Sequence, residues 1–536
     1  MRNFKVWAGI VVVMVGVVIG GSALAYDLPC VIGEFRYEQS PTDWNNIRDQ
    51  NGDGKDDLLI DVGYLRRHEV YLGRDSFKTE PDYLMPSQRG ESEVIGFGLS
   101  IGRLTPEHPH CFANWNIIRN DSTRLLDFYK GAGNGMDSLW MTLHSNIYRD
   151  NLAWAHGRYL RPFDFNGDGY HDILLKRQIT DNIGALELYF GGADFDTIPD
   201  WVAHFNISDM GGFTWSPGYD INHDGFADIL VRGYGAHDDN QGEMFYSLYL
   251  GGGDPDTTPV FILWNRSFQG RWGQPTRMEK GFSLLPDVNS DGYADFGIYW
   301  HDGNPNDARV SRDGVYLFFG GEQVDAVPDL NLEGSRGCAE EGRLIGGDFN
   351  GDGKGDVAVG YWARPPTPNG EVHFHFGSQR IDTVADVVVS ENDYQGRYPY
   401  LGYDVGAVGD YNGDGADDIG VATMGDFPLI ILTGNRDWQV EVKPEPSIPI
   451  KAFSFTLAPN PSNPSVTIKF ALLEDSKVRL TVYDLAGREV MMLVNDELKA
   501  GNHSATWSAG GFTSGIYLVK METPSFCATK KVALVK

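Results

Sequence analysis

The strongest constraint in this chain is a nine-residue frame that occurs six times, at residues 49–57, 164–172, 220–228, 287–295, 348–356 and 410–418. Every copy carries Asp, Asn and Asp at its first, third and fifth positions, Gly at its sixth and Asp at its ninth. Successive copies start 115, 56, 67, 61 and 62 residues apart. The first interval is double the others, which places a degenerate copy near residue 104. The segment Leu125 to Trp140, LLDFYKGAGNGMDSLW, is a worn form of the stretch that follows the frame elsewhere. Six acidic repeats and one degenerate repeat give seven units. Units of this length bury a core only by packing against their neighbours.

Each frame runs directly into a strand-like stretch, such as Leu58-Leu59-Ile60, Ile173-Leu174-Leu175 or Ile229-Leu230-Val231, and a later strand ends in a Gly-Gly turn. Four short strands per unit is the content of a propeller blade. The expected fold is therefore all-β, a seven-bladed β-propeller, with an open array of β repeats as the alternative. Closure into a circle is preferred because it leaves no exposed sheet edge. The last repeat stops at Leu432-Thr433-Gly434, and residues 26–44 offer a spare strand to complete it.

The frame places hard oxygen donors around one tight turn, the donor set that suits Ca²⁺. The expected ligands are Asp49, Asn51, Asp53, Lys55 and Asp57 in the first copy and Asp164, Asn166, Asp168, Tyr170 and Asp172 in the second. They continue as Asp220, Asn222, Asp224, Phe226 and Asp228, then Asp287, Asn289, Asp291, Tyr293 and Asp295. The last two sets are Asp348, Asn350, Asp352, Lys354 and Asp356, and Asp410, Asn412, Asp414, Ala416 and Asp418. The seventh position contributes only its carbonyl, so its side chain is free to vary. An EF-hand needs a bidentate Glu at its twelfth position. Here that position is Ile60, Leu175, Val231, Ile298, Val359 or Val421, which excludes that reading. The expectation is up to six structural Ca²⁺ ions; an ion-free Asx turn is the bland alternative for any single copy.

The frame, the GFGLSIGRL stretch at Gly96 to Leu104 and the LYFGG strand ends together resemble the FG-GAP (VCBS-type) repeats of bacterial secreted proteins, which are similar to the α-subunit propeller of integrins. The resemblance covers about residues 26–436, with the second blade degenerate. It implies a seven-bladed propeller serving adhesion or ligand binding, and it carries over no catalytic residues.

If the frame joins the first two strands of a blade, the connections from second to third strand lie on the opposite face. Tyr64, Arg67, Trp300 and Trp362 fall there, and Trp272 falls where a blade begins. Aromatic and arginine side chains suit a sugar ring or a protein hot spot; packing between blades is the competing role. No Gly-x-Ser-x-Gly, His-Glu-x-x-His or Walker-type glycine loop is present. His373 and His375 share one strand face but have no evident third ligand. The expectation is a non-enzymatic binder of a carbohydrate or a cell-surface protein. A polysaccharide-active enzyme on the same scaffold and a structural surface or matrix protein are the alternatives.

Charge sharpens the partner class. Lys and Arg number 44 against 74 Asp and Glu, a formal net charge of −30. Such a chain repels phosphate backbones, so nucleic acid is excluded as a partner. Residues 1–25 read as an export signal, with Arg2 and Lys5, an apolar run and Ala23-Leu24-Ala25 at the cleavage site. Export permits oxidation of thiols, and the pairing of Cys30, Cys111, Cys338 and Cys527 stays open.

Residues 437–452 form a Pro- and charge-rich linker. Beyond it, residues 453–536 alternate as a small Ig-like β-sandwich of about seven strands. The phrases APNPSNPSVTIKF, VYDLAGREV, AGNHSATW, SGIYLVKM and TKKVALVK resemble the type A C-terminal sorting domain of the bacterial type IX secretion system. A similar module occurs in flagellar hook-capping proteins. The sorting resemblance implies a secreted or cell-surface protein that engages the outer-membrane secretion machinery through residues 453–536.

Overall fold

The alternating stretches on either side of each frame form antiparallel strands, and the frames turn the chain from one strand to the next. The computed structural model describes residues 31–534 apart from 36–42, 50, 63–66, 75–77, 79, 86–92, 108–110, 119–123, 133–134, 145–162, 181–182, 207–213, 237–241, 265–276, 303–311, 337–342, 363–369, 380, 395–397, 399, 424–428, 439–453, 459–464, 473–475, 485–487, 500 and 524–526. The expected export signal and most of the expected linker lie outside the described residues. The chain divides into two units, one up to Val440 and one from Glu441. Both are all-β; among the described residues the only helical turn is Glu391–Tyr394.

The described strands of the first unit make seven antiparallel sheets in chain order. The first covers residues 43–85, the second 93–144, the third 173–206, the fourth 214–264, the fifth 277–336, the sixth 343–390 and the seventh 404–432. In the first, fourth, fifth, sixth and seventh sheets the frame is the turn from first to second strand, for example from Asp404–Gly409 into Asp418–Ala422. The seventh sheet draws only three strands from its own repeat. Its fourth is Val31–Phe35, which pairs antiparallel with Leu429–Leu432.

Apolar side chains fill the seams between consecutive sheets. Leu126 and Phe128 meet Ile173 and Leu175 between the second and third; Leu186 and Trp201 meet Val231 and Phe245 between the third and fourth. Tyr246 and Leu248 meet Phe282 and Phe296 in the next seam, and Val315 and Leu317 meet Leu344 and Val357 in the one after. Phe374 and Val389 then meet Val405 and Ile419. A further cluster joins the seventh sheet back to the first, with Leu429 and Ile431 against Trp44, Leu58 and Ile60. Each buried side chain contributes roughly 1.5–3 kcal/mol before conformational entropy is counted. The arrangement is propeller-like, since the sheets from the second to the seventh share apolar seams in chain order and the seventh packs back on the first.

Trp44 shapes the closing seam. It is 2% exposed, and side chains on Gly406 or Gly420 would strike its indole. A Cβ on Gly406 would lie 2.7 Å from Nε1, and one on Gly420 would lie closer still. Two glycines in the seventh sheet thus make room for the tryptophan of the first.

The second unit holds one sheet of three strands and one of four. Alternate residues of each turn inward. Val466, Ile468, Phe470 and Trp507 from the first sheet face Val478, Leu480, Val482 and Val519 from the second. This is a two-layer sandwich with a single core.

Candidate metal sites

The six acidic frames share one hydrogen-bond design. In the first, the Asp49 carboxylate accepts the backbone N–H groups of Gly52, Asp53 and Gly54 at 2.6, 3.1 and 2.7 Å. Asn51 Oδ1 accepts from Asp53 N–H at 2.8 Å while its Nδ2 donates to Asp53 Oδ2 at 3.0 Å. Asp53 Oδ1 then accepts from the seventh-position N–H, that of Lys55, at 3.0 Å. The same seventh-position bond recurs at Tyr170, Phe226, Tyr293, Lys354 and Ala416. The sixth position is always a glycine with φ between 83° and 94°, a region that a Cβ opposes. The fourth position is left-handed as well, and there His223 and Ser290 take φ of 58°.

The ninth aspartate has a role that the ligand pattern did not announce. Asp57, Asp228, Asp295, Asp356 and Asp418 are 0% exposed and Asp172 is 4% exposed. Oδ1 of each accepts the N–H of the first glycine in the strand-end turn of its own sheet: Gly73, Gly191, Gly251, Gly320, Gly377 and Gly434, at 2.8–3.0 Å. Oδ2 accepts from the frame's second residue, as in Phe165 at 2.7 Å and Val288 at 2.8 Å. The residue is a clamp between the frame and the far strand end. Burial pushes Asp172, Asp228 and Asp295 up to about 7; their N–H bonds oppose this, and the first and fifth carboxylates of the same frame raise it further.

The seventh side chain also has work, contrary to the expectation that it varies freely. The would-be Cβ of Gly413 lies 2.8 Å from the Lys55 stem, and that of Gly167 would overlap the Phe226 ring. Tyr293 meets His223 edge to face at 5.9 Å. Each seventh side chain named here lies over the fourth position of the preceding frame. Sequence reasoning missed this contact because it links residues of different repeats, from Gly167 and Phe226 in consecutive frames to Lys55 and Gly413 in the first and last.

The degenerate repeat keeps this place in the pattern. The Arg103 carbonyl accepts from His171 N–H at 2.7 Å, where other seams use the first-position carbonyls of Asp164, Asp220, Asp287, Asp348 and Asp410. Arg103 therefore takes the place of the frame's first residue, and Cys111, buried and eight positions on, that of the ninth Asp. The Arg103 guanidinium lies 4.8 Å from the Tyr170 ring centroid, a cation–π contact.

Oxygen chemistry in these loops fits a hard cation. The fifth carboxylates Asp53, Asp168, Asp224, Asp291, Asp352 and Asp414 are exposed, and the charge felt by the ninth places three carboxylates of one frame in a common field. The first and fifth carboxylates are engaged with turn N–H groups, and among the described residues no group of three or more His, Cys, Asp or Glu converges as a formed metal cage.

The residues expected to face a ligand are placed differently. Trp300 is 8% exposed, donates from Nε1 to Asn331 Oδ1 at 2.8 Å and stacks on Tyr316 at 5.5 Å. Trp362 is 2% exposed and packs edge-on against Tyr403 at 5.2 Å. Both are buried: Trp300 packs on the neighbouring strands of its own sheet, and Trp362 packs against Tyr403 beside the next sheet. Tyr64 and Trp272 lie outside the described residues, as does the side chain of Arg67. His373 Nε2 pairs with Glu371 Oε2 at 2.8 Å, and His375 is fully buried; among the described residues no third ligand joins them.

Comparison with known proteins separates the two units. Among solved structures, the chain is similar to PorZ, described as an essential bacterial surface component of the type IX secretion system of Porphyromonas gingivalis. The identity is 11%, the coverage 90% of this chain and 64% of PorZ, and the TM-score 0.29. It is similar to the exotype rhamnogalacturonan lyase YesX at 12% identity, 75% of each chain and a TM-score of 0.36. It is also similar to a fructofuranosidase from Schwanniomyces occidentalis at 10% identity, 97% of this chain, 86% of that chain and a TM-score of 0.28. The chain thus spans about two thirds of PorZ. No curated protein matches it in sequence. No helix among the described residues is long and apolar enough to cross a membrane. Residues 456–535 match the family model of the secretion system C-terminal sorting domain, so the second unit is a sorting domain that engages the type IX secretion machinery, and the chain is exported to the cell surface or beyond.

Proposed function

We propose that residues 26–436 form a calcium-stabilised seven-bladed propeller of the FG-GAP type, a non-enzymatic module that binds a carbohydrate or a cell-surface protein after export. Seven sheets, seams that run from the second sheet to the seventh and on to the first, and an N-terminal strand completing the last sheet all support the propeller reading. The observation that carries the calcium reading is the sixfold identical loop, in which three carboxylates share one field around a left-handed turn. First, third and fifth side-chain oxygens and the seventh carbonyl would hold the ion, and the buried ninth carboxylate would feel its charge. Six divalent ions would bring about twelve positive charges to a chain of net charge −30. With Trp300 and Trp362 buried, the expected ligand residues that remain are Tyr64, Arg67 and Trp272.

Calorimetric titration of the chelator-stripped mature chain tests the metal, with uptake approaching six Ca²⁺ per chain and a rise in melting temperature expected. Absence of both removes calcium. Incubation of the mature chain with glycans and cell-surface extracts tests the binding role: retention without turnover supports it, and turnover of a glycan transfers the site to the enzyme class.

A further inference from the structure

The strand-end turn gives the six acidic repeats a common coordinate, because its first glycine is clamped by the frame's ninth aspartate. Two residues before that glycine stand Tyr71, Tyr189, Tyr249 and Phe318 in the first, third, fourth and fifth sheets, and Leu432 in the seventh. The sixth sheet has His375. Two residues earlier, Glu69 and Glu187 accept hydrogen bonds from Tyr71 Oη at 2.7 Å and Tyr189 Oη at 3.0 Å; the sixth sheet has His373. One repeat alone thus replaces an aromatic or aliphatic seam residue with an imidazole.

His375 is 0% exposed, and neither ring nitrogen has a partner at full hydrogen-bond geometry, the Val384 backbone offering only a polar contact outside it. Its cross-strand partner is Val357, a member of the apolar cluster between the fifth and sixth sheets. Titratable groups surround it at known places. On its own strand are His373 and Glu371, paired to each other at 2.8 Å. On the neighbouring strand are Tyr361, 4.7 Å from His373 ring to ring, and Asp356, whose carboxylate is taken by Gly377 and Phe349 N–H. Asp386 accepts from Phe376 N–H and Asp382 from Val384 N–H. The fifth sheet presents Tyr299, 5.9 Å from Tyr361, and His301 paired with Asp313 at 2.5 Å. Each of these carboxylates is engaged elsewhere, so none compensates a charge on His375.

We propose that His375 makes the seam between the fifth and sixth sheets an acid-sensitive latch, closed at neutral pH and opened locally on acidification. A neutral imidazole packs there as an aromatic ring does, whereas an imidazolium in the same place is an unpaired buried charge. Burial, reinforced by the charge of His373, takes His375 from its ordinary 6.5 down to about 3, against an opposing contribution from the Val384 backbone. The open state therefore binds a proton that the closed state refuses. The stability of the closed seam is fully present above 6.5 and declines as pH falls toward 3.

His375→Phe, the residue type of the fifth sheet at this position, is the test variant, and His375→Tyr, the residue type of the first, third and fourth, is a second. Amide exchange of Val357–Tyr361 and Val372–His375 is compared between the full mature chain and the variants from pH 7.5 to 4.5, after correction for intrinsic exchange. The opening constant of the parent should rise relative to the variant by up to about tenfold per pH unit below 6.5. Identical pH dependence in parent and variant overturns the proposal. If neither variant folds, the His375 ring resonances of the parent decide: titration near 6.5 in the folded chain overturns the latch, and a ring still neutral at pH 5 upholds it.

Discussion

The backbone N–H of Asp56 in the first sheet donates to the carbonyl of Asp410 in the seventh at 3.0 Å. The same bond joins Ala227 to Asp164, Ala294 to Asp220, Gly355 to Asp287 and Asp417 to Asp348, always from the eighth position of one frame to the first of the frame before. The first and last repeats therefore meet through the same contact as neighbours in sequence. The frames make the contact between the first and seventh sheets as well as those between neighbours, so a change within a frame should be felt at that contact.

Trp44 and Gly420 test the closing seam together. A methyl group on Gly420 would overlap the indole nitrogen, and Gly420→Ala should destabilise the first unit by about 1–3 kcal/mol through overpacking. Trp44→Ala should cost about 3–5 kcal/mol through the cavity it leaves. The double variant should lose less than the sum, because the alanine enters space the indole vacated. Urea midpoints for the four chains measure this, and strict additivity would show that the two residues do not share a seam.

The ninth and fifth aspartates of one frame should behave oppositely. Asp295→Asn removes an acceptor from Gly320 or Val288, both buried bonds of 2.8–2.9 Å, and should destabilise the chelated protein by about 1–3 kcal/mol. Asp291→Asn, on an exposed side chain, should change that stability by less than about 0.5 kcal/mol yet weaken Ca²⁺ binding at its site. Melting with and without Ca²⁺ separates them; equal effects in chelator would deny the clamp.

These contrasts mark what could be read from the chain itself. The oxygen donors and the β-type stretches after each frame were legible because they lie within a dozen residues of one another, where spacing alone fixes geometry. The clamp was not, since Asp295 and Gly320 belong to different turns and meet only when the sheet forms. Trp300 and Trp362 show the same limit. Strand parity assigns a residue to an end of a sheet but does not say whether its side chain is exposed there or packed, and here both are packed. His375 was visible as a histidine, but its displacement of a repeating aromatic became visible only once the clamped glycines supplied a common register.

Asp82 gives the first unit a stability that acid removes. Its carboxylate accepts from Leu72 N–H at 3.0 Å and Lys78 Nζ at 2.9 Å and pairs with Arg74. Burial alone would raise its pKa, but these bonds and charges outweigh it and hold the group below 3.8. A depressed carboxylate contributes stability above its unfolded pKa and loses it as pH falls through the folded one. Asp82→Asn should therefore cost about 1–2 kcal/mol at pH 7, and the gap to the parent should narrow below pH 4. Urea midpoints at pH 7, 4 and 3 provide the check, and a gap that holds constant would assign the effect to packing.

Trp507 holds the sorting domain together and offers the sharpest separation of export from binding. It is 0% exposed, with Tyr517 at 5.0 Å and Phe512 at 5.5 Å around its ring. A domain of about 80 residues has roughly 4–12 kcal/mol of stability, and Trp507→Ala should remove about 3–5 of it, enough to populate the unfolded form of a marginal sandwich. Because the first unit has its own seams and core clusters, it should stay folded. The variant chain should then accumulate in the periplasm with its first unit intact, as should a tagged chain lacking residues 453–536. Fractionation with an antibody to the first unit, alongside limited proteolysis of the retained chain, reads both properties at once. Normal surface display of the truncated chain would place the export signal elsewhere, whereas normal display of Trp507→Ala alone would mean that the machinery reads an extended segment of the domain rather than its fold.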